Sequence, residues 1–144
     1  MKTSNTRKKR AKVQRWINDA ASSIAIPEDT IPHLKGVVFE VRQGYKSKDS
    51  KRQNADIINA ARAYAYQHLP AIVLFSTQID TDVLQRYREN LWIVLTGTTT
   101  GSSITSTYAF CRDVIGYDLA NFFDRHSQTI REKVEHVLET LLKP

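Results

Sequence analysis

The chain has 144 residues, 41% hydrophobic and 25% charged, a composition suited to one globular domain that buries about two-thirds of its unfolded surface without a disulfide or metal staple. A lone cysteine, Cys111, excludes a disulfide framework and a CxxC site, and the four histidines show no HxH or HExxH spacing. The net charge of +6 is uneven: residues 1–52 hold 13 Lys/Arg against 5 Asp/Glu, residues 53–144 only 8 against 10, which points to a polyanionic partner, nucleic acid before membrane.

Residues 1–10 (MKTSNTRKKR) are polar and basic without apolar periodicity and read as a mobile arm. From Ala11 to Ala21, Val13, Trp16, Ile17 and Ala20 recur at near-helical spacing, which predicts a helix with Lys8, Arg10, Lys12 and Arg15 on its open side. Pro27 and Pro32 keep regular structure short between 22 and 35. GVVFEV (36–41) reads as a buried strand and YKSKDSKRQ (45–53) as a loop. Ile57, Ile58, Ala61, Tyr64 and Ala65 describe a helical stripe from Asn54 to His68, with Pro70 as its stop signal.

AIVLFS (71–76) and LWIVLT (91–96) are two further buried strands, and between them Thr81 to Asn90 forms a helix capped by the Thr81 hydroxyl. TGTTTGSS (96–103) is a flexible connection without the GK[ST] ending of a P-loop or GxGxxG spacing. An amphipathic helix from Asp118 to Leu142, broken near His126, closes the chain. Trp16, Trp92, Phe122 and Phe123 sit in apolar patterns and are expected in the core. No apolar run is long enough to span a bilayer, and none follows the basic N-terminus as in a secretory signal, so a cytoplasmic location is expected. This alternation predicts one α/β domain over 1–144, its sheet at least partly parallel and buried on both faces.

The chemistry concentrates between Asp29 and Asp56. Side chains alternate along a strand, so Val38, Glu40 and Arg42 share one face and Val37, Phe39 and Val41 the other. An acid and a base then enter the same space at a strand end. An unpartnered buried carboxylate is costly, so that end is expected to open to solvent, a cation or DNA. Lys46, Lys48, Lys51 and Arg52 follow within seven residues.

At these residues the chain resembles the PD-(D/E)-x-K nuclease superfamily, especially the catalytic half of type II restriction endonucleases. The resemblance covers about residues 25–100 and rests on Glu40-Val41-Arg42, the polar helix from Gln53 and the strands AIVLFS and LWIVLT. It implies a restriction-endonuclease-like three-layer core with a mixed central sheet flanked by helices. It also implies a Mg²⁺ (or Mn²⁺) cofactor that polarises the phosphate and activates water. Glu40 matches the (D/E) position, and Asp29, ten intervening residues upstream, is the candidate for the first acid, which makes Asp29 and Glu40 the metal ligands.

Arg42 stands where the family places lysine, a departure that matters because arginine stays protonated and cannot act as a base. It is left to hold the phosphate or a water, or else Lys46 or Lys48 reaches back from the loop. Lys8, Lys9, Arg10, Lys12, Lys46, Lys48, Lys51 and Arg52 are the expected contacts to the DNA backbone. Plainer readings stand beside these: a structural Glu40–Arg42 ion pair, a turn role for Asp29, a solvated loop at 46–52 and a solubilising arm.

A Mg²⁺-dependent DNA endonuclease, as a truncated or minimal core, is the leading expectation. The alternative is a catalytically inactive nucleic-acid-binding or assembly module on the same fold. DNA is the expected partner, with a second copy or a partner subunit joining through the apolar stripe of the last helix.

Overall fold

A computed structural model describes the chain at residues 2–44 and 50–143, and its side chains at 5–44 and 51–143. Among the described residues five α-helices and three strands follow in this order: α1 (Lys2–Ser23), β1 (Gly36–Arg42), α2 (Ser50–Ala65), β2 (His68–Leu74), α3 (Thr81–Glu89), β3 (Ile93–Leu95), α4 (Thr107–Phe110) and α5 (Leu119–Leu142). The class is α/β. Its sheet runs β1-β2-β3, with Gly36 opposite His68, Arg42 opposite Leu74, and Ala71 to Val73 opposite Ile93 to Leu95.

Every strand pairing among the described residues is parallel, which corrects the expected mixed sheet. The reason lies in the connections: each pair is joined through a helix, the crossover that parallel neighbours require. Order 1-2-3 with right-handed crossovers sends both connecting helices to the same face. Ala60 of α2 and Val83 and Tyr87 of α3 accordingly share one core cluster with Ile72, Leu74 and Val94. On the other face α1 packs Trp16, Ile17, Ala20 and Ala21 against Ala71, Val73, Ile93 and Leu95.

Several local expectations need correction. Helix α1 begins at Lys2 rather than near Ala11, because lysine and arginine are good helix formers that need no apolar stripe to continue a helix already docked further along. The first strand is not buried: β1 has a neighbour on one side only, and its residues are half-buried or exposed. Pro70 does not stop a helix but lies inside β2. The Phe75 amide faces β1, donating to the Arg42 carbonyl. Alternation therefore turns the Pro70 nitrogen toward β3, which begins to pair only at Ala71.

Helix α3 is capped by Asp80, whose carboxylate accepts from the Asp82 amide, one residue before the expected Thr81. Helix α5 runs unbroken past His126 and buries none of its residues; Phe122 and Phe123 are half-buried. A π-helical turn (Cys111–Ile115) ends at Gly116, whose positive φ of 81° suits glycine. No helix of the described residues is long and apolar enough to cross a membrane.

The stretch after β3 folds back on itself through hydroxyls. Thr107 Oγ1 donates to the Leu74 carbonyl at 2.7 Å, and Ser106 Oγ donates to the Thr98 carbonyl at 2.6 Å while accepting from the Ala109 amide. Gly97 packs so closely that an added Cβ would lie 2.3 Å from the Phe75 carbonyl oxygen. Gly97→Ala should therefore cost about 1–3 kcal/mol, read as a lower urea midpoint at unchanged slope.

The Tyr64 hydroxyl ties the end of α2 to the Leu91 carbonyl at 2.5 Å. Burial pushes this phenol above the ordinary tyrosine range, since the interior disfavours phenolate. The sign follows: a raised folded pKa adds stability present below pH of about 10, and that stability is lost as pH climbs toward the folded value. Tyr64→Phe should lose less stability than the parent between neutral pH and pH above about 10, as measured by urea unfolding.

Candidate functional site: a charged cleft on the edge strand

Three elements converge on Asp56 of α2. Alternation along β1 sends Glu40 and Arg42 to the α2 face, while Phe39 on the opposite face meets Trp16 and Phe110. Arg42 Nη2 lies 3.2 Å from Glu40 Oε1 and 2.5 Å from Asp56 Oδ1. The Tyr87 hydroxyl of α3 donates to the second oxygen, Asp56 Oδ2. Asp56 is only 2% exposed, and a carboxylate at that depth requires both a countercharge and a donor, which Arg42 and Tyr87 supply. Beside it Arg86 Nη1 donates to Gln53 Oε1 at 3.1 Å and its Nη2 to Asn54 Oδ1 at 2.7 Å, stitching α3 to the first turns of α2.

Glu40 differs from Asp56 in that 41% of its side chain remains exposed. It borders a cleft of about 350 Å³ between β1 and α2, with Val38, Asn59, Arg62, Tyr66 and Trp92 among its walls. A second opening of about 650 Å³ lies beyond the carboxyl ends of the strands, where Gln43, Gly44, Phe75, Ser76 and Gly97 meet Arg52 of α2. Crevices at that end of a parallel sheet are the common place for ligands in open α/β folds. The first carries the acid Glu40 on a strand with Arg62 of α2 beside it; the second offers polar backbone and one guanidinium.

The predicted pair Glu40 and Arg42 is thus brought together. Asp29 is exposed in a turn, hydrogen-bonded by the Thr30 hydroxyl at 3.4 Å. Its segment anchors through Ile26, Ile31 and Leu34 in the cluster on the α1 face, whereas Glu40 projects toward α2. Lys8, Lys9, Arg10 and Lys12 are exposed along α1, and Lys51 and Arg52 at the start of α2, so the two basic clusters rise from helices on opposite faces of the sheet. Lys46 and Lys48 lie outside the described residues. Among the described residues no group of three or more His, Cys, Asp or Glu is placed to hold a metal ion.

Asp56 is the residue that sequence reasoning missed. The stripe of Ile57, Ile58, Ala61, Tyr64 and Ala65 lies one position out of phase with the buried face of α2: Ile58 is 55% exposed, and Gln53, Asp56, Ala60 and Ala63 face inward. The recoverable signal was an acid at helical spacing from Ala60 and Ala63, opposite a strand whose arginine needed a partner. Cys111 is half-buried and burial pushes its thiol up, in keeping with an unreactive side chain.

No family model, curated protein or solved structure matches the chain.

Removing one member of the Arg42–Asp56 pair should be worse than removing both. Asp56→Ala should cost about 3–5 kcal/mol by denaturant unfolding, and Arg42→Met combined with Asp56→Leu markedly less.

Proposed function

We propose that this chain is the core of a metal-dependent DNA endonuclease of restriction-endonuclease-like type, hydrolysing phosphodiester bonds at the Glu40 cleft. The carrying observation is the asymmetry of the two acids around Arg42: Asp56 is buried and fully engaged, while Glu40 stays open to an incoming ligand. Helices on both faces of the sheet support a restriction-endonuclease-like layered core.

The residues suit Mg²⁺ in a limited way. Glu40 presents a hard carboxylate, one oxygen steered by Arg42 and the rest of the group accessible. Mg²⁺ is commonly held by one or two carboxylates plus substrate phosphate, and keeps several waters. When bound, the ion supplies Lewis acidity and an activated water. Asp29 belongs to a segment on the other face, so the assignment rests on Glu40.

Arg42 takes a narrower role than the resemblance implies. Its guanidinium cannot surrender a proton, and it is held by Asp56 as well as by Glu40. It is a positioning residue: it fixes the direction of the Glu40 carboxylate and offsets its charge. Arg52 at the carboxyl-end crevice, with the exposed lysines and arginines of α1 and Lys51, supplies cations for the phosphate backbone. A second copy or a partner subunit would use the apolar stripe of α5, where Ile130, Val134, Val137, Leu138 and Leu141 are exposed.

One observation favours a second reading, a non-catalytic DNA-binding or assembly module. The basic residue of Glu40-Val41-Arg42 is engaged in an ion pair with a buried acid, as in a purely structural network. The two readings separate on one experiment. Plasmid and branched oligonucleotides incubated with Mg²⁺ or Mn²⁺ should be cut, and Glu40→Ala should cut about 10²–10³-fold more slowly while binding DNA as before. Equal cutting by both proteins rejects Glu40 as the metal-binding acid. Salt-sensitive binding without cutting by either establishes the second reading.

A further inference from the structure

The cleft beside Glu40 contains chemistry that phosphodiester hydrolysis leaves unused. Its wall is largely apolar, built from Val38, Ala63, Pro70 and Trp92. Tyr66, at its border, is 76% exposed, an aromatic ring held at the end of α2 with little protein against it. Trp92 is only 2% exposed, and its indole Nε1 is buried with no hydrogen-bond partner among the described residues. A buried donor left unmet is destabilising, and it marks Trp92 as a side chain held by packing rather than by hydrogen bonds.

The rim carries the complementary signal. Arg52, Asn59, Arg62 and Tyr66 are all exposed; the first three lie along one stripe of α2 at spacings of seven and three, and Tyr66 follows in the turn just after the helix, its amide bonded to the Arg62 carbonyl. Two guanidiniums, an amide and an aromatic ring in line match a chain of alternating phosphates and planar bases. An aliphatic ligand would fill the apolar wall but leave the Asn59 amide and the Arg62 guanidinium without a partner. A sugar would place hydroxyls against Val38, Ala63 and Pro70.

We infer that this cleft receives a single unstacked nucleobase, stacked on Tyr66 against the apolar wall, with the adjoining phosphate on Arg62. The inference rests on the DNA reading above and deepens it: a base removed from its stack would lie next to Glu40. Base-on-aromatic stacking tolerates any sequence, since every base has a π-face.

The test is binding in EDTA, where cleavage plays no part. The full chain is titrated into a single-stranded oligonucleotide carrying one 2-aminopurine, the same strand with an abasic site at that position, and 2-aminopurine deoxyriboside monophosphate. Binding should quench the 2-aminopurine, and the base-bearing strand should bind about 5- to 100-fold more tightly than the abasic one. Tyr66→Ala, an exposed position where folding is not at stake, should abolish that difference, and Tyr66→Phe should retain it.

Monophosphate binding as tight as the oligonucleotide makes a free nucleotide the source of the base; weaker binding makes it a strand. Equal affinity for base-bearing and abasic strands, or undiminished quenching in Tyr66→Ala, overturns the inference and leaves the DNA reading standing. Absence of affinity for any DNA overturns both.

Discussion

The ion pair between Arg42 and the buried carboxylate of Asp56 links the three parts of the molecule on which the rest depends. It joins the edge strand to α2, and Tyr87 extends the link to α3. Its energetic logic is one of avoided loss. Two charges drawn from water gain little beyond their desolvation cost, yet either one alone would be strongly destabilising. The pair therefore fixes the register of α2 over β1 more than it adds to stability. Glu40 inherits that precision, because the guanidinium steering it is clamped from behind.

Two openings beside α2 differ in character. The cleft on β1 is an apolar hollow edged by an acid, an amide, a guanidinium and two aromatic side chains. The crevice beyond the strand ends is built from backbone and small polar side chains, with Arg52 at its border. Helix α2 runs beside both, so any ligand long enough to occupy the two would follow that helix.

Much of the fold was legible in the sequence, and the misreadings share a physical origin. The runs AIVLFS and LWIVLT stood out because strands covered by helices on both faces need apolar side chains at successive positions. The sharing of one face by Glu40 and Arg42 followed from strand alternation alone. What failed was any inference that equated burial with apolarity. Helix α2 buries Gln53 and Asp56 and exposes Ile58, since its inward face answers a cation rather than a hydrocarbon. The strand β1 looked buried from its valines and phenylalanine, but its position at the edge of the sheet depends on which strands pair, and composition does not encode that. The small polar residues after β3 suggested a flexible connection; the structure shows their hydroxyls holding the backbone of that stretch in place.

The strand order also bears on how the chain reaches this state. No hairpin is available among these strands, so β1 meets β2 only after a helix has been laid between them. The outermost ladder partners, Gly36 and His68, are 68 − 36 = 32 residues apart, whereas Arg42 and Asp56 are separated by 14. Closing the shorter loop is entropically cheaper by about 0.7 kcal/mol. The ionic bridge thus defines the nearer of the two closures, and the chain can acquire a β1–α2 unit before it acquires a sheet. An interaction that adds little to the finished molecule would then influence the order in which it forms.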